Sequence, residues 1–183
     1  MATETELKVR LTLESFRSVR GRLEQLGSLP KTESQTELNV LFDYADHGLR
    51  EAGCALRLRS YAGGSLLTFK GRVEEDPLLK SRPEIQTEVT HPEETREILA
   101  QLGLRPQFLY SKEREIRTWT LENGEVEICL DQTPVGFFLE IEGRELEIRE
   151  AARRLDLDLE DAVKESYVSL YAKAGLGRVP HGS

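Results

Sequence analysis

The chain has 183 residues, 32% of them charged, and a net charge of −8 at pH 7. That length suits one domain with a real hydrophobic core. The acidic balance argues against a general nucleic-acid surface, which needs a basic footprint. No apolar run approaches the roughly 20 residues that span a bilayer, and no basic start with a following apolar stretch suggests a signal peptide. Cys54 and Cys129 are too few for a disulfide framework, so a reducing cytoplasm is the expected location. His47, His91 and His181 lack metal-ligand spacing. Any metal site should therefore be built from carboxylates, which suit Mg²⁺ or Mn²⁺.

The first predicted strand runs from Glu4 to Leu11. Side chains alternate along a strand, so Glu4, Glu6, Lys8 and Arg10 share one face, and Leu7, Val9 and Leu11 the other. Glu14 to Leu26 reads as a helix with Phe16, Val19, Leu23 and Leu26 as its apolar stripe, stopped by Gly27. Leu29-Pro30 is expected to break the chain before a second strand, Thr36 to Tyr44. A third strand, Cys54 to Tyr61, carries Arg57 and Arg59 on one face. The Gly63-Gly64 hairpin leads into a fourth, Ser65 to Arg72, with Leu66, Thr68, Lys70 and Arg72 on one side.

An acidic loop containing Pro77 is expected from Val73 to Ser81, followed by a fifth strand from about Arg82 to Val89. Arg82, Glu84, Gln86 and Glu88 line one face of that strand. Pro92 opens a helix that Gly103 ends, with Ile98, Leu99 and Leu102 as its apolar face. In the sixth strand, about Phe108 to Thr120, Tyr110, Lys112, Arg114 and Ile116 share a face. Glu113, Glu115 and Arg117 load the other, so alternation there does not tell inside from outside. Asn123-Gly124 turns into a seventh strand, with Glu125, Glu127, Cys129 and Asp131 against Val126, Ile128 and Leu130. The eighth places Phe138, Glu140 and Glu142 against Leu139 and Ile141. Two helices, Glu145 to Leu155 and Glu160 to Ala174, should complete a domain of residues 1–175, with 176–183 as a flexible tail.

At least six strands thus pair a charged face with an apolar one. Amphipathic helices need an apolar surface to cover, so the simplest packing turns the apolar strand faces outward beneath them. The charged faces would then line a closed, wet interior. The fold class expected is α+β, an eight-stranded antiparallel barrel with helices outside. An open sheet with one solvated face explains the alternation equally well. It does not explain why acids group on the first, seventh and eighth strands and bases on the third, fourth and sixth. That grouping suits a triphosphate with its cation, since Lys and Arg neutralise phosphate oxygens and carboxylates hold the metal.

The ordered motifs resemble those of the CYTH proteins, or triphosphate tunnel metalloenzymes, which include class IV adenylyl cyclases, thiamine triphosphatases and inorganic triphosphatases. The motifs are E-x-E-x-K (Glu4, Glu6, Lys8), L-R-L-R (Leu56 to Arg59), T-x-K-G (Thr68 to Gly71), R-x-E (Arg82, Glu84), K-x-R (Lys112, Arg114), and L-D followed by E-I-E (Leu130, Asp131, Glu140, Glu142). The stretch around Ser166-Tyr167 is similar to the family's C-terminal helix.

The resemblance implies that Glu4, Glu6, Glu140 and Glu142 ligate Mg²⁺ or Mn²⁺, with Asp131 as a further ligand or nearby support. It implies that Lys8, Arg57, Arg59, Lys70, Lys112 and Arg114 bind the phosphate chain. Lys112 is also the candidate catalytic group, and Glu84 and Glu88 are lower-ranked metal or supporting residues. Gln86 stands where many relatives have an acid, which weakens a second metal position. Arg72 and Leu41 also depart from the family's usual proline and aromatic. Cys54 and Cys129 read as small fillers, Trp119 and Phe138 as packing residues, and Lys164 as an exposed helix lysine. The implied partner is a small-molecule triphosphate such as tripolyphosphate, thiamine triphosphate or ATP. Hydrolysis is preferred over cyclisation of ATP because no stretch reads as an adenine site. A binding module without turnover is the remaining alternative.

Overall fold

The computed structural model describes residues 2–74 and 79–177. Eight antiparallel strands close a barrel: β1 (Ala2–Leu11), β2 (Leu29–Asp43), β3 (Ala55–Tyr61), β4 (Gly64–Lys70), β5 (Lys80–Glu88), β6 (Arg105–Leu121), β7 (Gly124–Thr133) and β8 (Gly136–Glu142). Around the barrel their order is β1-β5-β4-β3-β2-β6-β7-β8. The helices are α1 (Leu13–Gln25), α2 (Gly48–Glu51), α3 (Pro92–Gln101), α4 (Glu145–Arg154) and α5 (Tyr167–Lys173). Among the described residues no helix is long and apolar enough to cross a membrane.

The main core lies outside the barrel wall. Leu7 and Val9 of β1, Val126, Ile128 and Leu130 of β7, and Leu139 and Ile141 of β8 form one buried cluster. Val19 and Leu23 of α1, Ile148, Ala151 and Ala152 of α4, and Leu155 just after α4 cover it. Each fully buried aliphatic side chain contributes roughly 1.5–3 kcal/mol. The charged strand faces are thereby turned inward, resolving the choice between barrel and open sheet in favour of the barrel. Thr12 caps α1 by accepting the Ser15 N–H at 3.1 Å, a typical use of a threonine side chain before a first turn. Leu26, expected on the apolar stripe, lies beyond the helix end and is 39% exposed.

Several boundaries differ from expectation. Leu29-Pro30 begins β2 instead of breaking the chain. Proline is tolerated there because the β2–β6 ladder shifts register between Pro30 and Thr32 and again before Gln35. α3 leans on Val40, Phe42 and Leu58 through Leu99, while Ile98 and Leu102 of its expected apolar face are exposed. The short helix α2 has no counterpart among the expected elements. It is held by Asp43, whose carboxylate accepts the N–H groups of Leu49 and Arg50.

The expected helix from Glu160 to Ala174 is reduced to a 3-10 turn at Leu159–Asp161 and the seven-residue α5. The cause is at β1. Its ladder to β5 covers Ala2 to Glu6, and among the described residues no strand pairs with that edge beyond. Ala162 bridges Val9 there, and the Val163 N–H donates to the Lys8 carbonyl at 2.7 Å, which holds this stretch extended. Ser166 then caps α5. α5 packs Tyr167, Leu170 and Tyr171 onto the inward-facing Tyr110 of β6 and Phe138 of β8.

The loaded outer face of β6 also finds a place. Arg117 donates to Ser28 Oγ at 2.8 Å and to Glu115 at 2.7 Å, and Arg20 of α1 reaches Glu115 at 2.9 Å. Of the expected acidic loop, Glu74 bridges Ser81, and residues 75–78 lie outside the described part. In the expected tail, the Leu176 N–H donates to the Tyr171 carbonyl and the Leu109 N–H donates to the Gly177 carbonyl. Residues 178–183 lie outside the described part.

Candidate functional site

The barrel encloses a cavity of about 810 Å³. Among the described residues, ten Lys or Arg and nine Asp or Glu line it, so this wall lacks the acidic excess of the whole chain. Strand register builds the interior. Glu6 lies opposite Glu142 and Lys8 opposite Glu140 across the β1–β8 ladder. Arg114 faces Asp131, Glu37 faces Lys112, and Lys70 faces Glu84 across their own ladders.

At one side, Glu4, Glu6 and Glu142 bring carboxylate oxygens within 4.8 Å of one another. Burial pushes the Glu142 carboxyl up to about 8; the charge of Glu140 adds to this, Arg114 opposes it, and Glu4 and Glu6 reinforce it. Glu4 is different. Burial opposes its ionisation, but Lys70, a hydrogen bond from Glu84 and the charge of Arg82 hold its carboxyl down at about 2. Lys70 Nζ contacts both Glu4 oxygens at 2.7 Å and Glu84 at 2.6 Å. Burial raises Glu84, helped by its hydrogen bond to Glu4. Lys80 pairs with Glu6 at 3.0 Å. An all-oxygen set of this kind matches the donor preference of hard divalent cations.

Beside it on the inner face lies a second network, richer in cations. Asp131, fully buried, accepts both arms of Arg114 at 2.6 Å, Lys112 at 2.9 Å and the Tyr167 hydroxyl at 2.5 Å. Burial opposes ionisation of Asp131, but Arg114 and Lys112 outweigh it and lower its carboxyl. Glu140 is held well below the usual carboxylate range in the same way: burial opposes, and Arg114, Lys8 and Lys112 win. Glu140 pairs with Lys8 at 3.2 Å and with Arg114. The Tyr167 ring lies 4.5 Å from both the Lys8 and Lys112 ammonium groups, within cation–π range. Arg59 donates to Glu37 at 3.0 Å and Asn39 at 3.1 Å. Arg57 Nε is buried without a hydrogen-bond partner among the described residues, a donor that a bound anion could satisfy.

The candidate metal and phosphate residues are therefore on the inner face, but in different settings. Glu4, Glu6 and Glu142 converge, with Glu140 beside Glu142. Asp131 is engaged by cations on both oxygens and lies outside the converging carboxylate groups. Glu84 pairs with Lys70, and Glu88 is exposed at the end of β5. Gln86 accepts from the Thr68 hydroxyl at 2.9 Å. Glu37, Asn39, Lys80, Arg82 and Tyr167 join the site without a role assigned from sequence. Glu37 and Asn39 are readable by alternation in the second strand. Lys80 falls outside the expected strand boundary, and Tyr167 depends on α5 reaching the interior.

A family model for the CYTH domain matches residues 2–173. A Methanocaldococcus jannaschii protein named as a candidate adenylate cyclase is 25% identical over 176 residues, covering 90% of this chain and 97% of that protein. A solved Pyrococcus horikoshii structure is 27% identical with a TM-score of 0.73, over 91% of this chain and 98% of the other. A Hippeastrum protein, whose structure is described as that of a candidate adenylyl cyclase with dominant triphosphatase activity, superposes with a TM-score of 0.65 at 17% identity, over 94% of this chain and 96% of its own. With the family model spanning nearly the whole barrel, this chain belongs to the CYTH domain family.

Proposed function

We propose that this protein is a Mg²⁺- or Mn²⁺-dependent triphosphatase acting on a small-molecule triphosphate. The observation that carries this reading is one tunnel in which the Glu4–Glu6–Glu142 carboxylates adjoin a wall of Arg57, Arg59, Lys112 and Arg114. Crowded carboxylates, one of them pushed up to about 8 by burial and by its acidic neighbours, fit a divalent cation. Glu4, Glu6 and Glu142 would hold it, with Glu140 adjacent. Glu84 and Glu88 are weaker candidates, and the amide of Gln86 adds no charge between them. When bound, the cation would neutralise phosphate charge and polarise phosphoryl oxygens.

The chain's own residues supply positioning. Lys8, Arg57, Arg59, Lys70, Lys112 and Arg114 would neutralise the phosphate chain, with the Arg forks giving two-pronged contacts. Asp131 orients Arg114 and Lys112 through its two oxygens. Lys112 Nζ is the candidate proton donor to the leaving phosphate oxygen. Water attacks the terminal phosphorus and gives its proton to solvent, the bridging P–O bond breaks with the diphosphate-bearing oxygen taking a proton from Lys112, and orthophosphate and the diphosphate product are released. Positioning and charge neutralisation are the main demands of phosphoryl transfer.

The name of the M. jannaschii relative supports a second reading, in which the ribose 3′-hydroxyl of ATP attacks the alpha phosphorus and pyrophosphate leaves. The dominant triphosphatase activity described for the Hippeastrum protein favours hydrolysis. The two free cysteines support a cytoplasmic location, and residues 1–175 are taken as the working domain. The test is to incubate pure protein with Mg²⁺ or Mn²⁺ and, separately, tripolyphosphate, thiamine triphosphate and ATP, resolving products by chromatography. Orthophosphate without cyclic AMP is expected. Cyclic AMP with matching pyrophosphate would replace hydrolysis by cyclisation, and metal-dependent binding without any product would make the protein a binding module.

A further inference from the structure

The carboxylate cluster has a neighbour that hydrolysis does not use. Cys129 is fully buried on the inner face of β7, directly opposite Glu140 in the β7–β8 ladder. Its thiol has no hydrogen-bond partner among the described residues. Cys129 Sγ and one oxygen each of Glu140 and Glu142 lie within 4.8 Å of one another. Glu142 therefore belongs to two groups: an all-oxygen set with Glu4 and Glu6, and a sulfur-bearing set with Cys129 and Glu140.

We propose that Cys129, Glu140 and Glu142 form a binding site for a soft or borderline divalent cation, Zn²⁺ or Cd²⁺, that competes with the hard cation for Glu142. Sulfur and carboxylate oxygen are both ligands of zinc, at about 2.3 Å and 2.0–2.2 Å, and three such ligands can leave an open position. The thiol adds little for Mg²⁺, which takes oxygen, and much for a thiophilic ion. As the metal–sulfur bond forms, the thiol proton passes to solvent and the sulfur becomes a thiolate. The cost is set by the surroundings. Arg114 and Lys8 both hold Glu140, so an arriving dication meets two fixed positive charges on one side and the carboxylates of Glu142, Glu4 and Glu6 on the other. The expected site is consequently inhibitory, since a cation drawn towards Cys129 takes Glu142 away from Glu4 and Glu6. The inhibition rests on the triphosphatase reading. Binding itself does not.

The experiment uses the whole, metal-free protein. Cd²⁺ is titrated in while the ultraviolet sulfur-to-cadmium charge-transfer band is followed, for wild type, Cys129→Ala, Cys54→Ala and Glu142→Gln. Thermal melts without metal check that each variant is folded. A saturable one-to-one signal in wild type and Cys54→Ala, absent in Cys129→Ala and at least tenfold weaker in affinity in Glu142→Gln, is expected. Excess Mg²⁺ should shift the wild-type curve to higher Cd²⁺. No band in the wild type, or a band lost in Cys54→Ala and kept in Cys129→Ala, overturns the site. Loss of turnover with Zn²⁺ is measured separately on whichever triphosphate is consumed. Cys129→Ala should then need at least tenfold more Zn²⁺ for half-inhibition. Absent turnover on every triphosphate counts against the proposed function and leaves the cadmium result standing on its own.

Discussion

Glu6 and Glu142 stand directly opposite each other across the β1–β8 ladder, two acids with their side chains on the inner face. Glu142 is also opposite Glu127 on its other side. Like charges in such positions repel. Glu6 is relieved by Lys80 and Glu127 by Lys31, at 3.0 and 2.5 Å. Among the described residues no cation pairs directly with Glu142. A ladder position held at such a cost is the arrangement expected of a cation site.

Replacing Glu142 with Gln should therefore stabilise the metal-free protein while weakening its response to metal. Above pH 8, where Glu142 is ionised, relief of one like-charge cross-strand contact is worth up to about 1 kcal/mol, or roughly 2–4 °C in a chain of this size. The measurement is a thermal melt with and without Mg²⁺. Wild type should gain stability on adding the ion, and the variant should gain much less. An equal gain in both would remove Glu142 from the ligand set.

Metal binding should also carry a pH signature. The Glu142 carboxyl is raised from the ordinary 4.5 to about 8. A carboxyl raised on folding contributes stability that is complete below pH 4.5 and is lost as pH rises through 8. The metal-free protein should accordingly soften between those values. Over the same window an arriving cation displaces the proton, so affinity should climb with pH and level off above 8. Calorimetry at pH 7 in two buffers of different ionisation enthalpy should detect about one proton released per ion, a release that Glu142→Gln abolishes.

Asp131 should behave as the keystone of the cationic wall. Its replacement by Asn leaves Arg114 and Lys112 buried beside a neutral group. Breaking a buried pair of this kind costs about 3–5 kcal/mol. Urea denaturation should show that loss with the slope unchanged. Tyr167→Phe removes only the hydroxyl contact to Asp131 and keeps the ring between Lys8 and Lys112, so its cost should be near 1–3 kcal/mol.

Arg57 should show the reverse pattern. Its Nε lacks a hydrogen-bond partner among the described residues, so Arg57→Ala should change stability little. Loss of a hydrogen bond to a charged phosphate is worth about 1.5–3 kcal/mol, so KM for the triphosphate should rise by roughly ten- to a hundredfold. Arg57→Lys should not restore it fully, because an ammonium cannot reproduce the guanidinium fork. Steady-state kinetics on the consumed triphosphate would decide the matter.

Much of this architecture is legible in residue order. Alternation alone puts Glu4, Glu6 and Lys8 on one face and Leu7 and Val9 on the other, because a strand has a two-residue period whatever surrounds it. The motifs from E-x-E-x-K to E-I-E then place the inward residues of β1, β3, β4, β6, β7 and β8. The helix ending at Gly27 and the hairpin at Asn123-Gly124 are equally local, since caps and tight turns depend on a few neighbouring residues.

Other features depend on partners far away in the chain. β2 continues through Pro30 because β6 accommodates a shift in register there. The expected last helix is shortened because Ala162 and Val163 satisfy the β1 edge that β5 leaves open, a need visible only once the barrel has closed. Asp131 and Glu142, both acids on inner faces, come to opposite states for the same reason. Arg114, Lys112 and Tyr167 converge on Asp131, whereas Glu6, Glu4 and Glu140 surround Glu142. The order of residues sets which side chains face inward, through local backbone geometry. Which charges meet there is set by barrel closure and ladder register, because electrostatic energy depends on distance in space and on burial, neither of which is written into sequence separation.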